Sequence, residues 1–169
     1  MILPRATERL PAGGWAERPA DSVTLPYHER HHRRRRFRSD GGMEFMLDLP
    51  RAEQLAAGDA LRLESGGLIA VRAADESLIA VTAATPALLM RCAYHLGNRH
   101  LPVQLDMDRL LIQTDSVIAE MLVGLGAKVE SVQAPFQPEG GAYAPGGHHH
   151  HHHDHDDHDH HDHGHAHDH

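Results

Sequence analysis

From His148 to the end, this chain has nothing to bury. The last 22 residues, HHHHHHDHDDHDHHDHGHAHDH, hold 14 His and 6 Asp, and no apolar side chain larger than Ala166. Such a segment cannot assemble a hydrophobic core, so residues 144–169 read as a disordered His/Asp-rich tail. Folding therefore falls to the 147 residues before His148, enough for one ordinary domain or two small ones.

What the tail can do is hold metal, because neutral imidazole is the commonest side-chain ligand for late first-row divalent ions. At two to four imidazoles per ion, its capacity is on the order of four to six ions. The candidate ligands nearest the body are His148, His149, His150, His151, His152, His153 and His155. A purification tag accounts for the first six alone, whereas the His/Asp pattern runs on for 16 further positions. Protons compete with metal for the same nitrogens, so acidification should empty the tail.

The tail's aspartates carry six of the eight net negative charges and leave the body at only −2. A near-neutral body argues against bulk affinity for nucleic acid. The single Cys92 excludes an internal disulfide and a thiolate-rich zinc site. Pro4, Arg5, Glu8 and Arg9 stand where a secretory apolar core would lie, and no run is long enough to span a bilayer. A soluble, cytoplasmic protein with no membrane partner is the expectation.

Residues 1–73 read as short strands punctuated by Pro, Gly and Asp-Gly: Val23–Tyr27, Phe45–Leu49, and a hairpin of Leu61–Glu64 and Leu68–Arg72 about Gly66-Gly67. They contain no convincing helix, so a small β-sandwich or barrel is expected. Residues 74–143 change period. Leu78–Thr82 is strand-like, and Thr85-Pro86 supplies a helix cap and first position. Leu88, Leu89, Cys92, Ala93 and Leu96 follow at helical spacing, with Gly97-Asn98 as the stop. Val103–Met107 and Leu110–Gln113 are two short strands, Val117–Leu125 a second helix capped by Thr114 or Asp115, and Lys128–Ala134 a last strand. The order β-α-β-β-α-β is that of a ferredoxin-like domain. An α+β protein follows: an all-β N-terminal domain, a ferredoxin-like domain, then a Pro/Gly stretch (135–147) into the tail.

AYHLGNRHLPVQ (Ala93–Gln104), DSVIAEMLVGLGA (Asp115–Ala127) and APFQPEGGAY (Ala134–Tyr143) resemble the UreE family of urease accessory nickel metallochaperones. Arg33–Gly66 is similar to the same family's N-terminal domain. The resemblance implies a co-chaperone-like peptide-binding domain at residues 1–73, and a metal-binding, dimerising domain at 74–143. It also implies a homodimer with His100 at its interface. The function implied is delivery of Ni(II) to apo-urease, together with an accessory GTPase and the urease pre-activation complex. Some members carry an HxH pattern around an aspartate before the second helix. Here Asp115 is flanked by Thr114 and Ser116, neither competitive with imidazole for nickel, so an auxiliary site there is doubtful.

One imidazole binds weakly, but two-fold symmetry would double it and tail imidazoles could complete the shell. His95 reads as a packed or capping residue. His28, His31 and His32 adjoin Arg33–Arg36, which repels a dication; that run reads as a solvated sheet edge or a docking surface for an acidic partner. There is no phosphate loop, HExxH or GxSxG, so an enzyme is not expected. The alternative to a delivery role is a general store or buffer for Ni, Zn, Cu or Co, since imidazole in an open site prefers Cu(II) to Ni(II).

Overall fold

A computed structural model describes residues 3–140. The tail ligands His148–His153 and His155 lie outside the described residues. Six strands form the N-terminal sheet: β1 (Arg5–Leu10), β2 (Asp21–Leu25), β3 (His31–Arg38), β4 (Glu44–Gln54), β5 (Ala60–Leu63) and β6 (Leu68–Ala73), in the order β2-β6-β5-β1-β4-β3. The edge strands β2 and β3 contribute Val23 and Phe37 to one core with Phe45, Leu47, Leu61 and Ile69, so the sheet curls upon itself. Asp40, just beyond β3, closes the gap. Its carboxylate accepts from the hydroxyls of Ser22 (2.6 Å) and Thr24 (2.8 Å) on β2. With Asp40 N–H donating to the Ser22 carbonyl at 2.7 Å as well, the result is a barrel-like roll whose seam is one residue rather than a ladder.

The arginine run lies on β3, at the sheet edge. Alternation puts Phe37 in the core and leaves Arg34, Arg36 and Arg38 exposed. The acids opposite answer part of this charge: Arg36 pairs with Glu44 at 2.6 Å and Arg34 with Asp48 at 3.9 Å. A charged edge of this kind resists pairing with another sheet.

The second sheet joins β7 (Asp75–Thr82), β8 (Val103–Leu105), β9 (Leu110–Gln113) and β10 (Lys128–Pro135) in the order β10-β7-β9-β8, all neighbours antiparallel. Helices α1 (Pro86–Gly97) and α2 (Ser116–Gly124) complete the ferredoxin-like order. Ile79, Val81, Leu110 and Ile112 face the helices and pack with Cys92, Leu96, Ile118 and Leu122. The alternate residues Leu78, Ala80 and Leu111 meet Phe136, with Tyr27 of the N-terminal part packed against them. Both faces are covered, which is why LIAVT and LLIQ are continuously apolar instead of alternating.

Both helix starts follow the sequence. Leu88 N–H donates to Thr85 Oγ1 at 3.2 Å and Ile118 N–H to Asp115 Oδ1 at 3.0 Å. The first helix end does not. Gly97 lies inside α1 and Asn98 is right-handed (φ −63°), so neither supplies the left-handed stop. That conformation falls three residues past Gly97, on His100 (φ 56°), the one non-glycine with positive φ among the described residues.

Candidate metal centre

The local chemistry of His100 is set by how α1 terminates. Leu101 N–H reaches back to the Leu96 carbonyl at 3.5 Å, and His100 N–H to the Gly97 carbonyl at 2.9 Å. Helix α2 ends with the same pair of bonds: Ala127 N–H to Leu122 at 3.1 Å and Gly126 N–H to Val123 at 2.9 Å. This is the Schellman arrangement, in which the penultimate residue must turn left-handed and the next one packs back on the helix. In α2 that residue is Gly126 (φ 97°), the usual choice because no Cβ opposes it. In α1 the same slot holds an imidazole. Leu101, like Leu96, belongs to the helical core, so the turn beneath His100 is locked while its own side chain is exposed.

The exposed side of α1 and the β8–β9 hairpin carry an apolar patch. Along the exposed side of α1, Met90 and Tyr94 are each 67% exposed, and Leu105 and Met107 extend the patch from the β8–β9 hairpin. A hollow of about 450 Å³ there is lined by Leu89, Met90, Ala93, Leu105 and Met107. A second, of about 220 Å³, shares Ala93 and Leu105 and continues to Gly97 and Leu101, the residues bracketing the His100 turn. Asp106 stands at the rim. The Gln104 amide and then Arg109 at 2.9 Å hold its carboxyl below the usual carboxylate range.

The other histidines among the described residues do not join His100. His95 is half-buried on α1, edge-on to Tyr94. His28 sits in the 3-10 turn Tyr27–Glu29, and His31 and His32 are on β3. Burial, helped by Arg35 at 2.8 Å, lowers the basicity of His32. Among the described residues no three His, Cys, Asp or Glu side chains cluster closely enough to hold an ion. Among the described residues His100 thus stands as a single exposed imidazole on a fixed turn.

The strand end before α2 is already occupied. Asp115 caps α2, and Thr114 Oγ1 donates to the Ser77 carbonyl at 3.0 Å. Both residues line a 170 Å³ hollow with Leu101 and Pro102, close in the fold to the His100 turn. Cys92 is wholly buried and burial pushes its thiol up, so it serves the core.

The family model for the UreE urease accessory protein N-terminal domain matches residues 5–74, and that for the UreE C-terminal domain matches residues 76–169. The chain belongs to the UreE family. It is 48% identical over 147 residues to the urease accessory protein UreE of Beijerinckia indica, covering 86% of this chain and 85% of that protein. Identity to the UreE of Azorhizobium caulinodans is 52% over 127 residues, covering 75% and 61%. Identity to that of Bradyrhizobium sp. strain ORS 278 is 52% over 144 residues, covering 85% and 69%. As a UreE, the protein is an accessory factor of urease maturation. No helix among the described residues is long and apolar enough to cross a membrane.

Sequence points to His100 only through the family resemblance of AYHLGNRHLPVQ. What spacing could not convey is that the helix stop sits on the histidine itself. The signal was present: a second helix ending in LGA beside a first ending in RHL, with histidine where glycine belongs.

Proposed function

We propose that this UreE is a cytoplasmic nickel metallochaperone that delivers Ni(II) to apo-urease during metallocentre assembly. The single observation that carries the reading is His100 in a left-handed slot that its sister helix gives to glycine. An L-residue held in this conformation is strained, and strain of this kind clusters at functional sites. Here the side chain can do one thing, present an exposed imidazole at a fixed place on a locked turn.

The working unit is a homodimer. Paired α1 faces bury Met90, Tyr94, Leu105 and Met107, and a two-fold axis near the helix ends brings two His100 imidazoles to one ion. Two nitrogens give a half-built site, able to gather an ion yet open enough to surrender it. The tail collects nickel and, being tethered, presents its imidazoles to His100 at roughly millimolar local concentration. Exchange is then intramolecular and bypasses free ion. Nucleotide hydrolysis, where delivery is coupled to it, is the work of the accessory GTPase that meets the loaded dimer with the urease pre-activation complex. Zn(II), Cu(II) and Co(II) compete for the same nitrogens. The 14 tail imidazoles equally favour a second reading, a metal store with no delivery partner.

Nickel titration, with oligomeric state measured at each point, separates the two. In protein truncated after Gly147, one ion per dimer should remain, and it should vanish in His100→Ala. Truncated protein that binds no nickel tightly, or that stays monomeric, overturns the delivery reading and favours storage.

A further inference from the structure

Arg30 is the bulkiest side chain the fold buries fully, at 1% exposure, and metal capture as proposed above makes no use of it. A guanidinium removed from water is costly unless a counter-charge or complete hydrogen bonding offsets it. Here the donors run to neutral oxygens. Nη1 donates to the Leu55 carbonyl at 3.4 Å and to Gln137 Oε1 at 2.6 Å, and Nη2 to the Phe136 carbonyl. The group lies over the Tyr27 ring at 5.7 Å, and Nε is buried with no partner among the described residues.

The partners' places in the chain give this arrangement its meaning. Leu55 follows β4 of the first sheet, whereas Phe136 and Gln137 follow β10 of the second, at the threshold of the Pro/Gly stretch. Gln137 is held twice more: Oε1 accepts from Ala57 N–H at 3.2 Å, and its own N–H donates to Gln104 Oε1 at 2.7 Å. Two residues on, Glu139 N–H donates to the Val103 carbonyl at 2.9 Å. Glu139 then lines the same hollow as Gly97 and Leu101, which bracket the His100 turn. One buried guanidinium thus clamps both sheets to the last segment of chain before the His-rich arm.

We propose that Arg30 is a positioning residue for metal loading, pinning the root of the arm beside the end of α1 so that its imidazoles act on His100 from short range. The clamp stands on its own geometry; its loading role rests on the His100 reading. Nine residue-to-residue steps lead from Glu139 to His148, a span of about 30 Å at most. Phe136 stays packed in its core, so freeing the chain back to it lengthens the tether to 12 steps. Local concentration falls as the −3/2 power of length or faster, so the arm's contribution drops by about 1.5-fold or more.

The test compares Arg30→Met and Gln137→Ala with the parent chain, full length and truncated after Gly147. Gln137 is exposed, so its variant keeps the experiment decisive even where Arg30→Met folds poorly. In metal-free full-length protein, amide exchange at Gln137 and Glu139 should quicken about tenfold or more, while Ile118 and Leu122 stay as in the parent. Nickel titration should then show the full-length advantage over truncated protein shrinking by about 1.5-fold or more, with truncated affinity unmoved. Unchanged exchange at Gln137 and Glu139 refutes the clamp whatever nickel does. Equal losses in full-length and truncated protein reduce Arg30 to a structural prop and refute the loading role. Indifference of the parent chain's nickel binding to His100→Ala is a separate failure: it removes the His100 reading and the loading role with it, and leaves the exchange result standing.

Discussion

Replacing His100 by glycine should make the metal-free protein more stable and, at the same time, unable to hold nickel in its body. The left-handed conformation costs an L-residue roughly 1–2 kcal/mol because Cβ crowds the following carbonyl. Glycine escapes that cost but loses about 0.5–1 kcal/mol more in chain entropy on folding. The net gain is about 0.5–1 kcal/mol, since the exposed imidazole makes no side-chain hydrogen bond among the described residues whose loss would count against it. Gly126 in α2 shows that the turn accepts glycine without change of bonding pattern. For a folded body of this size, such a gain raises Tm by about 1–4 °C. His100→Ala keeps the strain and loses the ligand, so it should leave Tm where it was. The assay is thermal unfolding of both variants without metal, paired with nickel titration of protein truncated after Gly147. Destabilisation by His100→Gly would refute the strained-slot argument, and body-bound nickel surviving in either variant would refute the assignment of the ligand.

Two further outcomes follow from the surface and from the carboxylates. Met90→Glu combined with Met107→Glu places charge in the apolar patch and should convert the proposed dimer to monomer in sedimentation, leaving the far-ultraviolet spectrum unchanged; a dimer that persists would move the proposed interface elsewhere. The Asp21 carboxyl is held low chiefly by the Ser39 hydroxyl, and that of Asp48 chiefly by Arg5. Carboxyls depressed in the folded state stabilise above the ordinary carboxylate pKa and lose that contribution as pH falls through their lower folded values. Urea unfolding followed from pH 6 down to pH 3 should therefore show stability declining below about pH 4. Stability flat across that range would count against these two contacts.

Much of this was legible before any coordinates. Apolar period fixed the two helices and most strands, and Thr85 and Asp115 announced the helix starts because a cap needs only a local side-chain oxygen. The first strand, Arg5–Leu10, escaped notice since RATERL is polar and earns its place by pairing with β4 and β5. The arginine strand was legible as an edge through its charge, while its pairing to Glu44 and Asp48 required the register.

Sequence alone supplied the grounds for proposing the C-terminal arm as a metal ligand, because 14 imidazoles with no apolar side chain larger than Ala166 is a matter of composition. It also determined membership of the UreE family through motifs that survive at about half identity. Tertiary structure decided that α1 ends on His100 instead of at Gly97. It also decided that a buried Arg30 joins segments more than 100 positions apart. Where a helix stops depends on which residue the core pulls inward, here Leu101 against Leu96, and that choice is made by packing between distant elements rather than by local preference.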